Sequence, residues 1–358
     1  MKSALEHVRR LIAQHEIAGV VIVTPTDLHY LTGLFLSRGV LFITPQRATL
    51  CVDPRYLMVA KSLSTDFEIV CQPSHEAMRS VLEALFNGCR GAIGFDAATM
   101  TVERFQELTA VALPGQLTPA PLLFSCLRRP KRPDEIKAIQ EACTLCEKGF
   151  TNLLPHIHAG VTEQQLSQKL KAFWFSHGAE ALSFEPIIAF GANSACPHWS
   201  SSATPLSNNS HILIDIGVKY HSYHSDMTRT IFFGRPDPKI LDFSRHVQEA
   251  YSLAFAHAWP GVAPFLLDAT ARHYLAAHGY GDAFVHGLGH GVGLEVHEPP
   301  RVSAFAPQEP SLEEGDVITI EPGIYIEGLG GVRLENTVVI ETDGARSLFA
   351  LPLEPTFL

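Results

Sequence analysis

Two stretches of this chain place pairs of acidic residues inside apolar strands, and this restricts the folds open to it. The segment HILIDIGVKYHSYHSDMTRTIFF (211–233) holds two strand-like runs around a break near Tyr220-His221. A two-residue turn there sets Asp215 directly opposite Asp226. The segment VITIEPGIYIEGLGGVRLENTVVI (317–340) holds two more such runs around the glycine cluster 328–331. A turn centred on Gly328 sets Glu321 opposite Glu335. Like charges facing each other across a sheet destabilise it at Cβ separations of about 5 Å. A carboxylate in an apolar strand is costly unless compensated. A cation between the acids reverses the sign of that argument. One such glutamate fits a salt-bridged core residue; four acids in two hairpins of the same kind point to a cation site.

Between the hairpins lies FVHGLGHGVGLEVHEPPR (284–301), with His286, His290 and His297. Its glycines do not form a phosphate loop, since G-x-G-x-x-G fails at Val292 and Leu294 and no Walker lysine follows. His286 and His290 are spaced as in H-E-x-x-H, but the glycines oppose a helix and no Glu follows His286. The glycines are expected to let the backbone crowd a ligand. Four carboxylates and one histidine can hold two divalent ions. Oxygen-rich ligation with one imidazole suits Mn²⁺, Co²⁺, Fe²⁺ or Zn²⁺ better than a thiolate site would. Two ions about 3.5–4 Å apart would clamp a bridging hydroxide able to attack a carbonyl carbon. The direct reading is hydrolysis of an amide or ester. No G-x-S-x-G elbow and no papain- or caspase-like cysteine competes with it.

Composition narrows the setting. The 358 residues are 46% hydrophobic and 18% charged, enough to bury a sizeable core. Lys and Arg number 27 against 37 Asp and Glu, and a net charge of −10 argues against nucleic acid as a partner. No run approaches the ~18 apolar residues of a membrane span. The N-terminus MKSALEHVRRLIAQHE carries charges throughout, unlike a signal peptide. The seven cysteines are scattered, and Cys143 and Cys146 read as a buried helix face rather than half of a zinc site. The expectation is a reduced, cytoplasmic enzyme that engages no membrane.

Residues 1–125 alternate helical and strand patterns and read as an α/β domain with a mixed sheet. Helices are expected at 5–15, 54–63, 75–87 and from Val102, with strands at 19–24, 40–44, 48–53, FEIVC and AIGFD. The basic, proline-rich LRRPKRP (127–133) reads as a solvated connector, with the linker set at 126–132. From 133 to 358 a long helix, a helix opened by the capping box Thr162–Gln165, and blocks of strands broken by helices near 238–258 and 264–278 read as α+β.

The chain resembles the Xaa-Pro peptidases, aminopeptidase P and prolidase, among the pita-bread metallopeptidases. The resemblance rests on NSACPHW (193–199), DIGVKYHSYHSDMTRT (215–230), HGLGHGVGLEVHEPPR (286–301), EPGIYI (321–326) and GVRLENTVVI (331–340), in that order. LHYLTG (28–33) resembles the family's N-terminal domain more weakly. The resemblance implies a C-terminal pita-bread catalytic domain preceded by a smaller α/β creatinase-like domain. It implies that Asp215, Asp226, His290, Glu321 and Glu335 bind two metals, manganese first among the candidates, with Asp226 and Glu335 bridging. Glu321 would be the general base. His297 would hydrogen-bond the developing oxyanion, and His198 and His286 would line the pocket. Arg333 would orient the carboxylates, and Arg301 would grip a substrate carboxylate or form a surface salt bridge. Ser222 stands where the family commonly has glycine, which puts the two-residue register at 220–221 in doubt.

The implied reaction is hydrolysis of the bond between an N-terminal residue and proline, in a dipeptide or a longer peptide, by a homodimer. Creatinase shares the fold but does not keep the metal set. A methionine-aminopeptidase-like enzyme shares the ligand types but lacks this N-terminal domain. A non-catalytic pita-bread module that binds proteins is the third alternative.

Overall fold

The runs VVI, VLFI and ATLCV are apolar without alternation, so they call for cover on both sides of a sheet. The computed structural model describes residues 4–63, 66–306 and 308–358, and shows this cover. The chain divides into two compact units, Met1–Arg128 and Arg129–Leu358.

In the first unit the order is α1 (Ala4–Gln14), β1 (Gly19–Ile22), α2 (Pro25–Thr32), β2 (Val40–Ile43), β3 (Ala48–Val52), α3 (Leu57–Ala60), β4 (Glu68–Cys71), α4 (His75–Asn87), β5 (Ile93–Phe95), α5 (Val102–Thr109), β6 (Leu117–Pro119) and α6 (Pro121–Cys126). The sheet runs β4-β3-β2-β1-β5-β6, with antiparallel pairs around β2 and parallel pairs at both edges. Successive residues point to opposite faces. Val20, Ile22, Leu41 and Ile43 therefore join one core, and Val21, Val40 and Phe42 the other. The helix expected over 54–63 is shorter. The Asp53 carboxylate accepts the Arg55 amide at 2.9 Å, which spends the start of the segment on a turn.

The second unit opens with α7 (Pro133–Leu153) and α8 (Glu163–Ser176), followed by β7 (Ala181–Leu182), β8 (Ile187–Phe190), β9 (Ser210–Ile216), β10 (Val218–Tyr220), β11 (Tyr223–His224) and β12 (Met227–Phe233). Then come α9 (Pro238–Ala256), α10 (Pro264–Ala277), β13 (Gly289–Gly291), β14 (Glu298–Val302), β15 (Val317–Ile320), β16 (Gly323–Ile326), β17 (Gly330–Arg333), β18 (Glu335–Glu341), β19 (Gly344–Ser347) and β20 (Thr356–Phe357). The main sheet runs β14-β13-β15-β18-β12-β9-β8, with β19 on β18 and β20 on β12. Helices α7 and α8 share a core with Ile212, Ile214, Ile216 and Met227. Helices α9 and α10 share another with Phe232, Ile318, Ile320 and Val338. Cys143 and Cys146 are fully buried on α7, as a helix face. The Thr162 capping box opens α8 as the spacing predicts.

The basic segment before α7 is not solvated. Arg129 bonds Asp316 through Nε at 2.7 Å, and Lys131 Nζ lies 2.7 Å from Glu298 Oε1, with all four side chains almost completely buried. Buried charges persist when paired, and the partners lie far along the chain. Sequence proximity gave no sign of them.

The glutamate hairpin has the expected register. Ile320 faces Asn336 on one flank and Gly323 faces Arg333 on the other, so Glu321 falls opposite Glu335. The aspartate hairpin differs by two residues. Tyr220 pairs with Tyr223, and Asp215 faces Thr228 rather than Asp226. His221 and Ser222 form the turn, with φ of 49° and 70°. Both central residues are thus left-handed, as the tight hairpin turns that suit strand twist require. A shift of two keeps side-chain parity, so both aspartates stay on one face.

Glycine adopts this backbone without the steric cost borne by a residue with a Cβ. Ser222→Gly should stabilise the protein by about 1 kcal/mol, raising Tm by roughly 2–4 °C. Thermal unfolding checks this, and an unchanged or lower Tm would mean that the turn is not strained by Ser222.

Candidate metal centre

Each ligand-type side chain sits at the end of a strand or where a ladder breaks. Asp215 lies near the end of β9, and Asp226 immediately precedes β12. His290 is central in β13, which is bulged against β14 after that residue. Glu321 follows β15, and Glu335 begins β18. Side chains at these positions leave the packed faces and converge on one cavity of about 420 Å³.

The cavity is lined by all five of these residues and by His198, His286, His297 and Arg333. Three overlapping triads have ligand atoms within 4.8 Å of one another: Asp215–Asp226–Glu335, His290–Glu321–Glu335 and Asp226–His290–His297. His290 Nε2 lies 3.7 Å from Asp226 Oδ2 and 3.5 Å from Glu321 Oε1. Its Nδ1 is 3.0 Å from the Gly291 carbonyl, which assigns the proton to Nδ1 and leaves Nε2 as a donor to a metal. His286 differs. Its Nδ1 is 2.8 Å from the Gly287 carbonyl, and Nε2 is 2.9 Å from the Tyr325 hydroxyl. Both nitrogens of His286 are therefore engaged.

Arg333 organises the other side. It bonds Asp215 Oδ2, donates to Thr228 Oγ1 at 3.1 Å and donates to the Tyr325 hydroxyl at 2.7 Å. Thr228 in turn donates to Glu335 Oε2 at 2.7 Å. Thr228 and Tyr325 escaped the sequence reading. Tyr325 sits in the EPGIYI block and Thr228 in an apolar strand, and only their facing partners mark them as part of the site. Arg301 stands apart: it is exposed on β14 and is not among the residues forming the cavity wall.

The glycines around His290 let neighbouring strands approach closely. A Cβ on Gly289 would lie 2.1 Å from the Thr319 carbonyl oxygen, and one on Gly291 would lie 2.3 Å from that of Pro299. The backbone of β13 thus packs directly against its neighbours, and Gly287 and Gly289 also line the cavity.

Charge is the dominant feature of the site. Burial, and then the charges of Glu335, Asp215 and Glu321, push the Asp226 carboxyl well up. Burial and Glu335 do the same to Glu321, while burial and Asp215 push Glu335 up to about 8. Burial lowers His290 to about 3 and His286 to about 4, so both imidazoles are neutral. Oδ1 of Asp215 is buried and has no hydrogen-bond partner among the described residues. Four carboxylates, the Nε2 atom of His290 and a buried carboxylate oxygen lacking a partner among the described residues fit divalent cations with oxygen-rich ligation.

The raised Glu335 carboxyl gives a sign for the metal-free protein. It binds a proton in the folded state up to about pH 8 but only to about 4.5 when unfolded. Its contribution is full below the unfolded value and is lost as pH rises through the folded one. The depressed histidines act at lower pH, below their ordinary value of 6.5. Between about pH 6.5 and 8 the chelated protein should therefore lose several degrees of Tm, and excess divalent metal should abolish that loss. A chelated Tm that rises over this window would contradict the charge assignment.

Comparison with known proteins identifies the family. Residues 137–342 match metallopeptidase family M24, and residues 5–129 match the creatinase/prolidase N-terminal domain. The chain is 35% identical over 349 residues to an Xaa-Pro dipeptidase of Pyrococcus furiosus, covering 97% of this chain and 98% of that one. It superimposes on an Xaa-Pro dipeptidase from Bacillus anthracis with a TM-score of 0.91 at 30% identity, covering 99% of both chains. An X-Pro aminopeptidase from Thermotoga maritima gives a TM-score of 0.84 at 31% identity, covering 98% of this chain and 100% of that one. The pita-bread architecture with a creatinase-like N-terminal domain is thereby shown, and the chain belongs to the Xaa-Pro peptidases of metallopeptidase family M24.

Proposed function

We propose that this metallopeptidase hydrolyses the bond between an N-terminal residue and proline, using a dinuclear centre. The observation that carries the reading is the convergence of Asp215, Asp226, His290, Glu321 and Glu335 in one cavity with three further histidines. Asp226 and Glu335 share one triad with Asp215, and each also belongs to a triad with His290, so these two carboxylates lie between the Asp215 and His290 ends of the site, which supports their assignment as the bridging ligands. Divalent ions held there, manganese first among them, would lower the pKa of water and polarise the scissile carbonyl.

The protein groups then have distinct tasks. Glu321 lies beside the His290 nitrogen and takes the proton of the attacking water. His297 stands edge-on to His290, with ring centroids 4.2 Å apart, and donates to the developing oxyanion. Arg333 holds Asp215 directly and His286 through Tyr325. His198 lines the pocket.

We take the Xaa-Pro dipeptide as the preferred substrate because the relatives from Pyrococcus furiosus and Bacillus anthracis are named for that activity. The Thermotoga maritima structure, named for the aminopeptidase activity, favours the second reading. Arg301 is exposed and outside the residues lining the cavity, so the dipeptide reading does not rest on it.

Manganese-loaded protein should cleave Ala-Pro faster than Ala-Pro-Ala and leave Met-Ala-Ser intact, with chelator abolishing activity. Faster cleavage of the tripeptide would make it an aminopeptidase; cleavage of Met-Ala-Ser alone would overturn the proline reading. Asp226→Ala and Glu335→Ala should each abolish both activity and metal retention, measured by metal analysis after desalting. An active, metal-loaded variant of either would sink the dinuclear assignment. His297→Ala should lower kcat by about 100-fold, the scale of a lost oxyanion donor, with metal content intact. Loss of metal in that variant would instead make His297 a ligand, as its triad with Asp226 and His290 allows.

A further inference from the structure

Glu163 is the first residue of α8 and is completely buried, yet it lies outside the cavity wall. Its carboxylate accepts five hydrogen bonds. The Phe190 amide and the Asn193 side chain donate to Oε1 at 2.8 Å each. The Trp199 indole donates to Oε2 at 2.9 Å, the Ser202 amide at 2.8 Å and the Ser202 hydroxyl at 2.7 Å. All five donors come from one stretch, 190–202, and that stretch carries Pro197, His198, Trp199 and Ser200 into the cavity wall.

His198 itself is exposed, and its ring makes no hydrogen bond to any described residue in the structure. Its place is therefore set by the backbone that carries it. That segment is tied through the Phe190 and Ser202 backbone amides and the Asn193 side chain, all to the same carboxylate. A negative charge at the first turn of α8 also suits the helix dipole.

We propose that Glu163 is a positioning residue for the peptide hydrolysis assigned above, acting by holding the 190–202 segment so that His198 and Trp199 face the substrate. The inference rests on that reading of the site. Glutamine cannot replace the carboxylate. The Phe190 amide on one oxygen, and the Trp199 indole and Ser202 amide on the other, can only donate, so an amide NH₂ on either side meets an N–H pointing at it. The substitution keeps the shape of the side chain and breaks the clamp.

Glu163→Gln should lower kcat/KM for Ala-Pro at least tenfold while the bound metal per chain stays at the wild-type value. In a His198→Ala background the same change should cost less than threefold, because the two act through one element. The Trp199 indole proton, read by NMR and identified with a Trp199→Phe variant, should move in Glu163→Gln. Asn193→Ala removes one donor and should lower kcat/KM in the same direction by a smaller factor, which keeps the test available if Glu163→Gln folds poorly. With active wild type, unchanged kcat/KM in Glu163→Gln overturns this inference alone. An equal loss with and without His198 does the same. Metal-loaded wild type that cleaves no proline peptide overturns the peptidase reading, and the inference falls with it.

Discussion

Four carboxylates crowded into one buried cavity with a single guanidinium are the constraint on which the catalytic unit is built. Other buried acids of that unit are compensated by the protein itself. Asp268 bonds Arg272 and the Leu288 amide, Asp316 bonds Arg129, and Glu298 lies against Lys131. Glu163 has five donors and needs no cation. Asp215, Asp226, Glu321 and Glu335 have Arg333, Thr228 and Thr319 among them. The difference between the two groups of acids separates scaffold from site, and it is a difference in partners rather than in burial.

The compensated acids hold the elements that aim the others. Asp268 fastens the approach to β13, Glu298 and Asp316 receive the segment leading into α7, and Glu163 holds the cavity wall. The interior of the unit thus uses charge twice. Neutralised pairs fix the backbone, and an excess of like charge is left where a cation is to be bound.

Much of this was legible along the chain, and the misses have physical causes. Asp215, Asp226, Glu321 and Glu335 could be found because a charge interrupting an apolar strand is conspicuous at any register. The glutamate register could be read because Gly328 marks its turn. The aspartate register could not, since His221 and Ser222 adopt left-handed backbone without the Gly or Asn that normally signals it. Arg129 and Lys131 looked solvated because their partners, Asp316 and Glu298, lie more than a hundred residues away. Glu163 was visible only as the opening of a helix. Its clamp depends on a loop that no periodicity describes.

The glutamate hairpin keeps one register while it passes from one sheet to another. Strands β15 and β18 belong to the main sheet, whereas β16 and β17 form a sheet of their own, and the ladder resumes in step on either side of the break. Glu321 and Glu335 stand at that seam. The spacing between these two carboxylates is consequently tied to the angle at which the two sheets fold over one another. Opening or flattening this corner would change the distance between the two carboxylates, so the sheet junction sets the span of a cation held between them.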